Sequence, residues 1–345
     1  MKNKILKKIS IDVLSIGGGG AGVTAAIASA RNGAKTAIVS LGKIGNSGNT
    51  IMIGGSYAMD GYSAYHDYGI KEADPNFTKE KLFEDIVRQG FYLSDQNMVE
   101  QFVEDSPKIV YEVKEWGERA GQKFIFFPPS GWLVSGHSMG MALKQGLKET
   151  EGIDIYEDIM ILDIIKDEDK ITGAIGIDVY TGEFILFETK TIIIATGGYQ
   201  PFSFKNSNSD MTGDGMAMAY RAGAKLADME FLLFLATGLE PQEMKGSIFP
   251  FLLLTLGKLE TDFLDRDGNS ISMSNEMKEM SIGSELNKLI YCYHWGRAID
   301  SGRGTNNNGI YVDYSKNSSI VIEKNFEQMI GLMKTWYKEG YYHGE

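Results

Sequence analysis

The stretch IDVLSIGGGGAGVTAAIASARNGAKTAIVS, residues 11–40, constrains the fold more than any other part of this chain. An apolar run, a glycine cluster, an alanine-rich segment and a second apolar run predict strand, turn, helix and strand. Parallel strands need such a crossover, so the unit points to an α/β fold with a parallel sheet. Gly17, Gly19 and Gly22 fit the pattern G-x-G-x-x-G. The first glycine permits a tight turn, the second lets a pyrophosphate approach the backbone, and the third lets helix pack on strand. The helix then presents unpaired N–H groups and a positive dipole end to phosphates. The same arrangement also arises where only close packing is needed. An Asp or Glu usually ends the second strand and holds ribose hydroxyls. Here that place is Ser40, whose hydroxyl can still hydrogen-bond a ribose.

The chain has 345 residues, which suggests two domains or one domain with a large insertion. Its net charge of −12 argues against a nucleic-acid partner, which would call for a basic face. The single cysteine, Cys292, forms no internal disulfide and holds no iron–sulfur cluster alone. With four scattered histidines, no metal site is expected. The start, MKNKILKKIS, lacks the apolar core of a secretory signal. The most apolar run, IFPFLLLTL at 248–256, is too short to cross a bilayer, so no transmembrane segment is expected. These features suggest a cytoplasmic protein, with a peripheral place on a membrane complex left open.

Further along, residues 41–60 read as an irregular glycine-rich loop. Residues 61–130 read as mainly helical, with apolar spacing in FTKEKLFEDIVRQGF and NMVEQFVEDSPKIVYEVKEWG. A helix opens near Gly136–His137. YEDIMILDIIKD, KITGAIGIDVY and GEFILFETKTIIIATGG predict a small antiparallel set, then a buried strand ending at Ala195. GDGMAMAYRAGAKLADMEF reads as a helix opened by glycines and then a strand start. A turn at DRDGN and a helix around ELNKLIYCYHWGRAI follow.

Four more segments accompany the first motif in order: SGNTIMIGG at 47–55, IIIATGG at 192–198, TGDGMAMAYRAGAKLADMEF at 212–231, and GRGT…GIYVD at 302–313. Together they resemble the flavoprotein subunits of fumarate reductase and succinate dehydrogenase, a family that includes L-aspartate oxidase. The resemblance implies a Rossmann-like FAD-binding domain of the glutathione-reductase type over residues 1–235, with a helical insertion at about 61–130. It implies an inserted α+β capping domain over 236–345. It implies FAD, with Gly17, Gly19, Gly20, Ala21 and Gly22 around the pyrophosphate and Ser40 at the ribose. Ser47, Gly48, Asn49, Thr50, Gly54 and Gly55 would line the flavin and ribityl chain. Backbone near Ile161, Ala195, Thr196 and Gly197 would face the adenosine, and Asp214 would hold the ribityl or phosphate side. Asp214 also suits a helix N-terminus, and the two roles are compatible. Some relatives attach flavin through a histidine in the 47–55 loop. This loop has none, so non-covalent FAD is expected.

The chain departs from the family pattern in two places. The family's M-E-F-x-Q-F-H-P-T-G, whose histidine touches substrate, stands here as MEFLLFLATG, with Leu235 at the histidine position. The family's proton-donating arginine, counted back from GRGT, falls on Lys288. A lysine can donate a proton, and it also suits the solvated face of a helix. Arg303 and Arg297 are neighbouring cations, and His137 is either close to flavin or a helix cap. His66 and Glu230 read more readily as structural. The family's later H-Y-x-M-G-G and G-L-x-A-A-G-E segments are absent, and His343 does not restore them. A second chain could supply them, the sequence could be incomplete, or the reaction could be lost. Two functions stay open: a catalytic FAD subunit passing electrons to an iron–sulfur or similar partner, and a non-catalytic flavin-carrying relay or structural subunit.

Overall fold

Strands β1 (Lys7–Ser10) and β2 (Val13–Ile16), helix α1 (Gly20–Arg31) and strand β3 (Thr36–Val39) open the chain in a computed structural model. The structure describes residues 7–52, 54–127, 131–199, 211–231, 236, 238–239, 259–271 and 286–324. Their contacts fall into two units, one formed by Met1–Asp85 and Asp95–Ala227, the other by Ile86–Ser94 and Asp228–Lys338.

Four parallel strands organise the first unit, in the order β11 (Thr191–Ile194), β2, β3, β7 (Ile153–Tyr156). Alternation decides which way each side chain goes. Leu14 and Ile16 of β2, with Ala37 and Val39 of β3, enter one core. Ile38 enters a second core, and Ser15 meets Gly22 of α1. Both faces are therefore covered, which explains the nearly unbroken apolar runs. Against the first face lies a second sheet, β1–β10–β9–β8, built from β8 (Ile159–Asp167), β9 (Lys170–Asp178) and β10 (Phe184–Glu188). Its Ile159, Ile161, Ala174 and Phe187 close the first core.

Against the other face pack α1 and α5 (Gly136–Glu149), with α4 (Gln96–Arg119) behind. Val23, Ala26 and Ile27 of α1 recur at helical spacing and meet Leu143 and Leu147 of α5 and Trp116 of α4. Each large side chain so buried stabilises by about 1.5–3 kcal/mol. A third sheet, β4 (Gly54–Ala58), β6 (Gly131–Ser135) and β5 (Ile125–Phe127), carries an aromatic cluster around Trp132. Helices α2 (Gly61–His66), α3 (Lys79–Gln89) and α6 (Asp214–Arg221) complete the described elements of residues 1–227. In the second unit, β12 (Asp262–Leu264) pairs antiparallel with β13 (Tyr311–Asp313), and Phe263 packs on Trp295 of α7 (Leu286–Ala298) at 4.8 Å between ring centroids.

Three expectations are corrected. The 41–60 segment is not irregular throughout: Asn49–Met52 forms a 3₁₀ turn and Gly54–Ala58 forms β4. The partner of β4 is β6, with Gly54 opposite Ser135, and a pairing so distant leaves no local periodicity to read. The expected strand start after α6 does not form within the described residues 222–231, which turn at Asp228–Phe231 instead. Finally, β11 is a sheet edge among the described strands, and Ile194 keeps 36% of its surface exposed.

Candidate dinucleotide site

The parallel strands end level with one another. Ile16 lies opposite both Val39 and Ile194, and Val39 lies opposite Tyr156. One residue on, the Gly17 amide donates to Val39 O at 2.8 Å, the Ala195 amide to Ile16 O at 2.8 Å, and the Ser40 amide to Tyr156 O at 2.9 Å. Gly17, Ser40 and Ala195 therefore emerge side by side at the carboxyl edge of the sheet. That edge is where open α/β sheets place their ligands.

Glycine is required at two points of this corner. Gly17 has φ +126°, and a Cβ on it would lie 2.0 Å from Ala195 O. A Cβ on Gly22 would lie 1.9 Å from Gly17 O. The Ser15 hydroxyl donates to Gly22 O at 2.9 Å and clamps α1 to β2 from below. Gly19 is the N-cap of α1 and supplies no side chain to it. The Gly20 amide donates instead to Thr50 Oγ1 at 3.1 Å. The amides of Ala21 and Gly22 lie in the first turn, where a helix offers them no internal acceptor. No acidic residue occupies that turn, so the positive dipole end is not offset by a carboxylate of its own helix.

The 47–55 loop is held against this helix end. Ser47 Oγ donates to Lys43 O at 2.8 Å, Gly48 has φ +75° with open space around it, and Asn49 begins the 3₁₀ turn. A Cβ on Gly136 would lie 1.8 Å from Ile51 O, and one on Gly140 would lie 2.2 Å from Gly45 O. Helix α5 thus touches the loop backbone at two glycines one turn apart. Glu157, just past β7, accepts from the Ile44 amide at 2.8 Å and pairs with Lys43 at 3.2 Å. Hydrogen bonds from Lys43 to Asp158 and to Glu157 raise the Lys43 pKa above its ordinary value. Gly54 and Gly55 lie on β4.

A second glycine corner adjoins the first. Ala195, Thr196 and Gly197 leave β11, with Gly197 at φ +81°. A Cβ on Gly215 would lie 1.9 Å from Thr196 Oγ1, so α6 starts directly against this turn. Asp214 is the first residue of α6, and its carboxylate accepts from the Thr212 hydroxyl. Ile161 sits on β8, with its side chain in the core shared with Ile16 and Val39.

The candidate catalytic residues fall in different units. His137 is half-buried at the second position of α5. Lys288 is on α7 and Arg303 follows that helix. Arg303 is committed to structure: its guanidinium donates to Asp265 Oδ2 at 2.9 Å and to Ser270 O at 3.3 Å. Burial would raise the Asp265 carboxyl, but hydrogen bonds from the Asn269 amide, Arg303 and the Asp267 amide outweigh it and hold the pKa below the usual carboxylate range. Arg297 and Glu230 are exposed, and the His66 ring packs tilted against Tyr62, with 4.4 Å between ring centroids. Leu235 and His343 lie outside the described residues.

Sequence reasoning misses several residues of this site. A Cβ on Gly18 would lie 2.6 Å from Ser40 Oγ, and the unbroken GGGG run is the one sign of it. Gly215 stands in the TGDG segment, yet nothing in that segment says what it packs against. Nothing local marks Glu157, Gly136 or Gly140, which act through partners far along the chain.

The first-turn amides, the uncapped Gly19 and the open space beside Gly20 suit a bound pyrophosphate, and the loop without histidine suits a flavin held without a covalent bond. The FAD binding domain family matches this chain over residues 12–131 and 127–338. An uncharacterized FAD-dependent oxidoreductase of Methanocaldococcus jannaschii is 31% identical over 342 residues, covering 92% of this chain and 57% of that protein. A fumarate reductase (CoM/CoB) subunit of Methanothermobacter marburgensis is 29% identical, covering 92% of this chain and 58% of that protein. In structure, Mycobacterium smegmatis Sdh1 superposes with a TM-score of 0.71 at 24% identity, covering 97% of this chain and 57% of that one. This chain thus spans a little over half the length of these relatives.

Proposed function

We propose, from the premise that this chain belongs to the FAD binding domain family, that it is the FAD-carrying part of a fumarate reductase or succinate dehydrogenase-like oxidoreductase. Its electrons would pass between flavin and a partner redox subunit, iron–sulfur or similar. The observation that carries this reading is the meeting of Gly17, Gly22 and Ala195 at the carboxyl edge of the parallel sheet, beside the α1 N-terminus. FAD supplies chemistry that accepts electrons as a pair and passes them on singly. The chain's part is to bind and orient it. The α1 amides face the pyrophosphate, Ser40 the ribose, and the loop around Ser47–Thr50 the flavin and ribityl chain. Binding without a covalent bond follows from the absence of histidine in that loop.

Residues 236–345 are read as the capping domain. No helix among the described residues is long and apolar enough to cross a membrane, and a cytoplasmic site, peripheral on a larger complex, fits that. Lys288 and His137 are the candidate proton carriers.

A second reading, a flavin-carrying relay without substrate turnover, draws on Leu235 at the family's histidine position and on Arg303 being engaged by Asp265. One experiment separates the two. The native complex is purified, its visible spectrum recorded, and fumarate-dependent reoxidation of reduced flavin assayed. Yellow protein with turnover supports the enzyme, yellow protein without it supports the relay, and colourless protein overturns both.

A further inference from the structure

Strand β8 does not keep one alternation along its length. Ile161 lies opposite Gly176 of β9 and Asp163 opposite Ile175, so Leu162 is an extra residue on β8. An undisturbed strand would send Asp163 to the face of Ile159 and Ile161, into the first core. The bulge resets the phase, and Ile164 packs there instead. Asp163 is freed to meet α6: its two carboxylate oxygens accept from Arg221 Nε and Nη2, each at 3.2 Å. Arg221 accordingly holds the Asp163 pKa below the usual carboxylate range. Three residues on, Lys166 Nζ donates to Ala222 O at 2.9 Å. That carbonyl belongs to the C-cap of α6. The carbonyls of Ala219 and Tyr220 are already taken by the Ala224 and Gly223 amides, each at 2.9 Å. Lys166 therefore brings a cation to the negative end of the α6 dipole.

Helix α6 spans eight residues, too few to persist on its own hydrogen bonds. Met218 anchors its middle in the first core, and Gly215 seats its start against Thr196. We propose that Asp163 and Lys166 are positioning residues: from one bulged strand they grip the last turn of α6 and so hold residues 213–215 at the cofactor corner. They act through the helix, from the end opposite Asp214 and about 10 Å from it along the axis. Without the grip the last turn frays and FAD has to order the helix itself, so the lost contacts reappear as lost affinity. This inference rests on the FAD reading above, with Asp214 as the α6 group that meets the cofactor, and adds what keeps that group in place.

The test uses the full chain stripped of flavin, with Asp163→Asn, Lys166→Met and the double variant beside wild type. Binding of FAD is followed by flavin fluorescence, and amide exchange is measured on the same proteins. Each single variant binds FAD about threefold more weakly, and the double variant about tenfold. Exchange speeds up at the Ala222 and Ala224 amides and stays as in wild type at Gly17 and Ala195, because the sheet edge is untouched. The conservative pair Asp163→Glu and Lys166→Arg keeps both charges and binds FAD within about twofold of wild type. In an Asp214→Asn background the double change costs little more, because the group it positions is gone. The grip is overturned if the double variant binds FAD as wild type does, or if the conservative pair fails to restore binding. It is also overturned if exchange rises equally at Gly17 and Ala195, which marks general loosening, or if the full tenfold loss persists beside Asp214→Asn. Wild-type protein that binds no FAD would instead remove the parent reading.

Discussion

Replacing Gly22 by alanine tests the corner on which the proposed site depends. The new methyl would lie 1.9 Å from Gly17 O, where contacts under 3.0 Å essentially never occur. Gly17 O is a backbone atom and the new methyl is fixed rigidly to the α1 backbone, so neither a rotamer change nor a small side-chain shift relieves the clash. The helix must retreat from the strand by about 1 Å. Overpacking of this kind costs about 1–3 kcal/mol. The retreat also stretches the buried Ser15–Gly22 hydrogen bond, now 2.9 Å, worth about 1 kcal/mol. A loss of about 2–4 kcal/mol is therefore expected, a large share of the about 5–15 kcal/mol that holds a typical domain. The same retreat carries the α1 amides beyond hydrogen-bond reach of a phosphate seated on the sheet edge. Flavin retention falls by about a hundredfold, the value of one or two charged hydrogen bonds. Gly20→Ala is the control. Its methyl meets nothing within 4 Å, and alanine is preferred to glycine in a helix by about 1 kcal/mol, so the apoprotein is unchanged or slightly steadier. Urea unfolding followed by circular dichroism measures the stability, and fluorescence titration measures the flavin. A Gly22→Ala protein with the wild-type midpoint and full flavin content would refute the close-approach argument. So would a Gly20→Ala apoprotein as unstable as Gly22→Ala.

Two further outcomes are expected. Glu157→Gln keeps an acceptor for the Ile44 amide and loses only the ion pair to Lys43, so FAD affinity and urea stability change by less than about 1 kcal/mol. Glu157→Ala loses both, costs about 1–2 kcal/mol, and speeds amide exchange at Ile44; equal behaviour of the two variants would dismiss the anchor. The Asp265 carboxyl has its pKa held below 3.8 in the folded chain, so its contribution is present above that value and is lost as pH falls through the lower folded value. Acid unfolding monitored by tryptophan fluorescence, with Trp295 packed on Phe263, therefore shows an acidic limb that Asp265→Asn lacks. An unaltered limb in that variant assigns the acid sensitivity to other groups.

The first β-α-β unit is legible in the sequence because its strands are buried on both faces and its helix is alanine-rich, so local pattern and tertiary role coincide. The antiparallel set β8–β10 is legible for a similar reason, with each strand close in sequence to its partner. β4 is not, since a five-residue segment rich in glycine becomes a strand only when β6 arrives beside it. The strand expected after α6 shows the reverse, a mixed segment that pairs with no strand within its described residues 222–231. At the site, Gly17, Gly19 and Gly22 are readable from spacing, whereas Glu157 and Gly140 are not, because their contacts join positions about a hundred residues apart.

Sequence alone determined that a strand would turn through bare backbone into a helix, and that no histidine would stand in the following loop. These are properties of neighbours in the chain, set by which φ angles and side chains each residue allows. Tertiary structure alone decided that Ala195 O would press on Gly17, that Thr50 would meet the Gly20 amide, and that Arg303 would be claimed by Asp265. Each is a meeting of distant segments, and it exists only after sheet and helices have packed to bring the partners within an atom's reach.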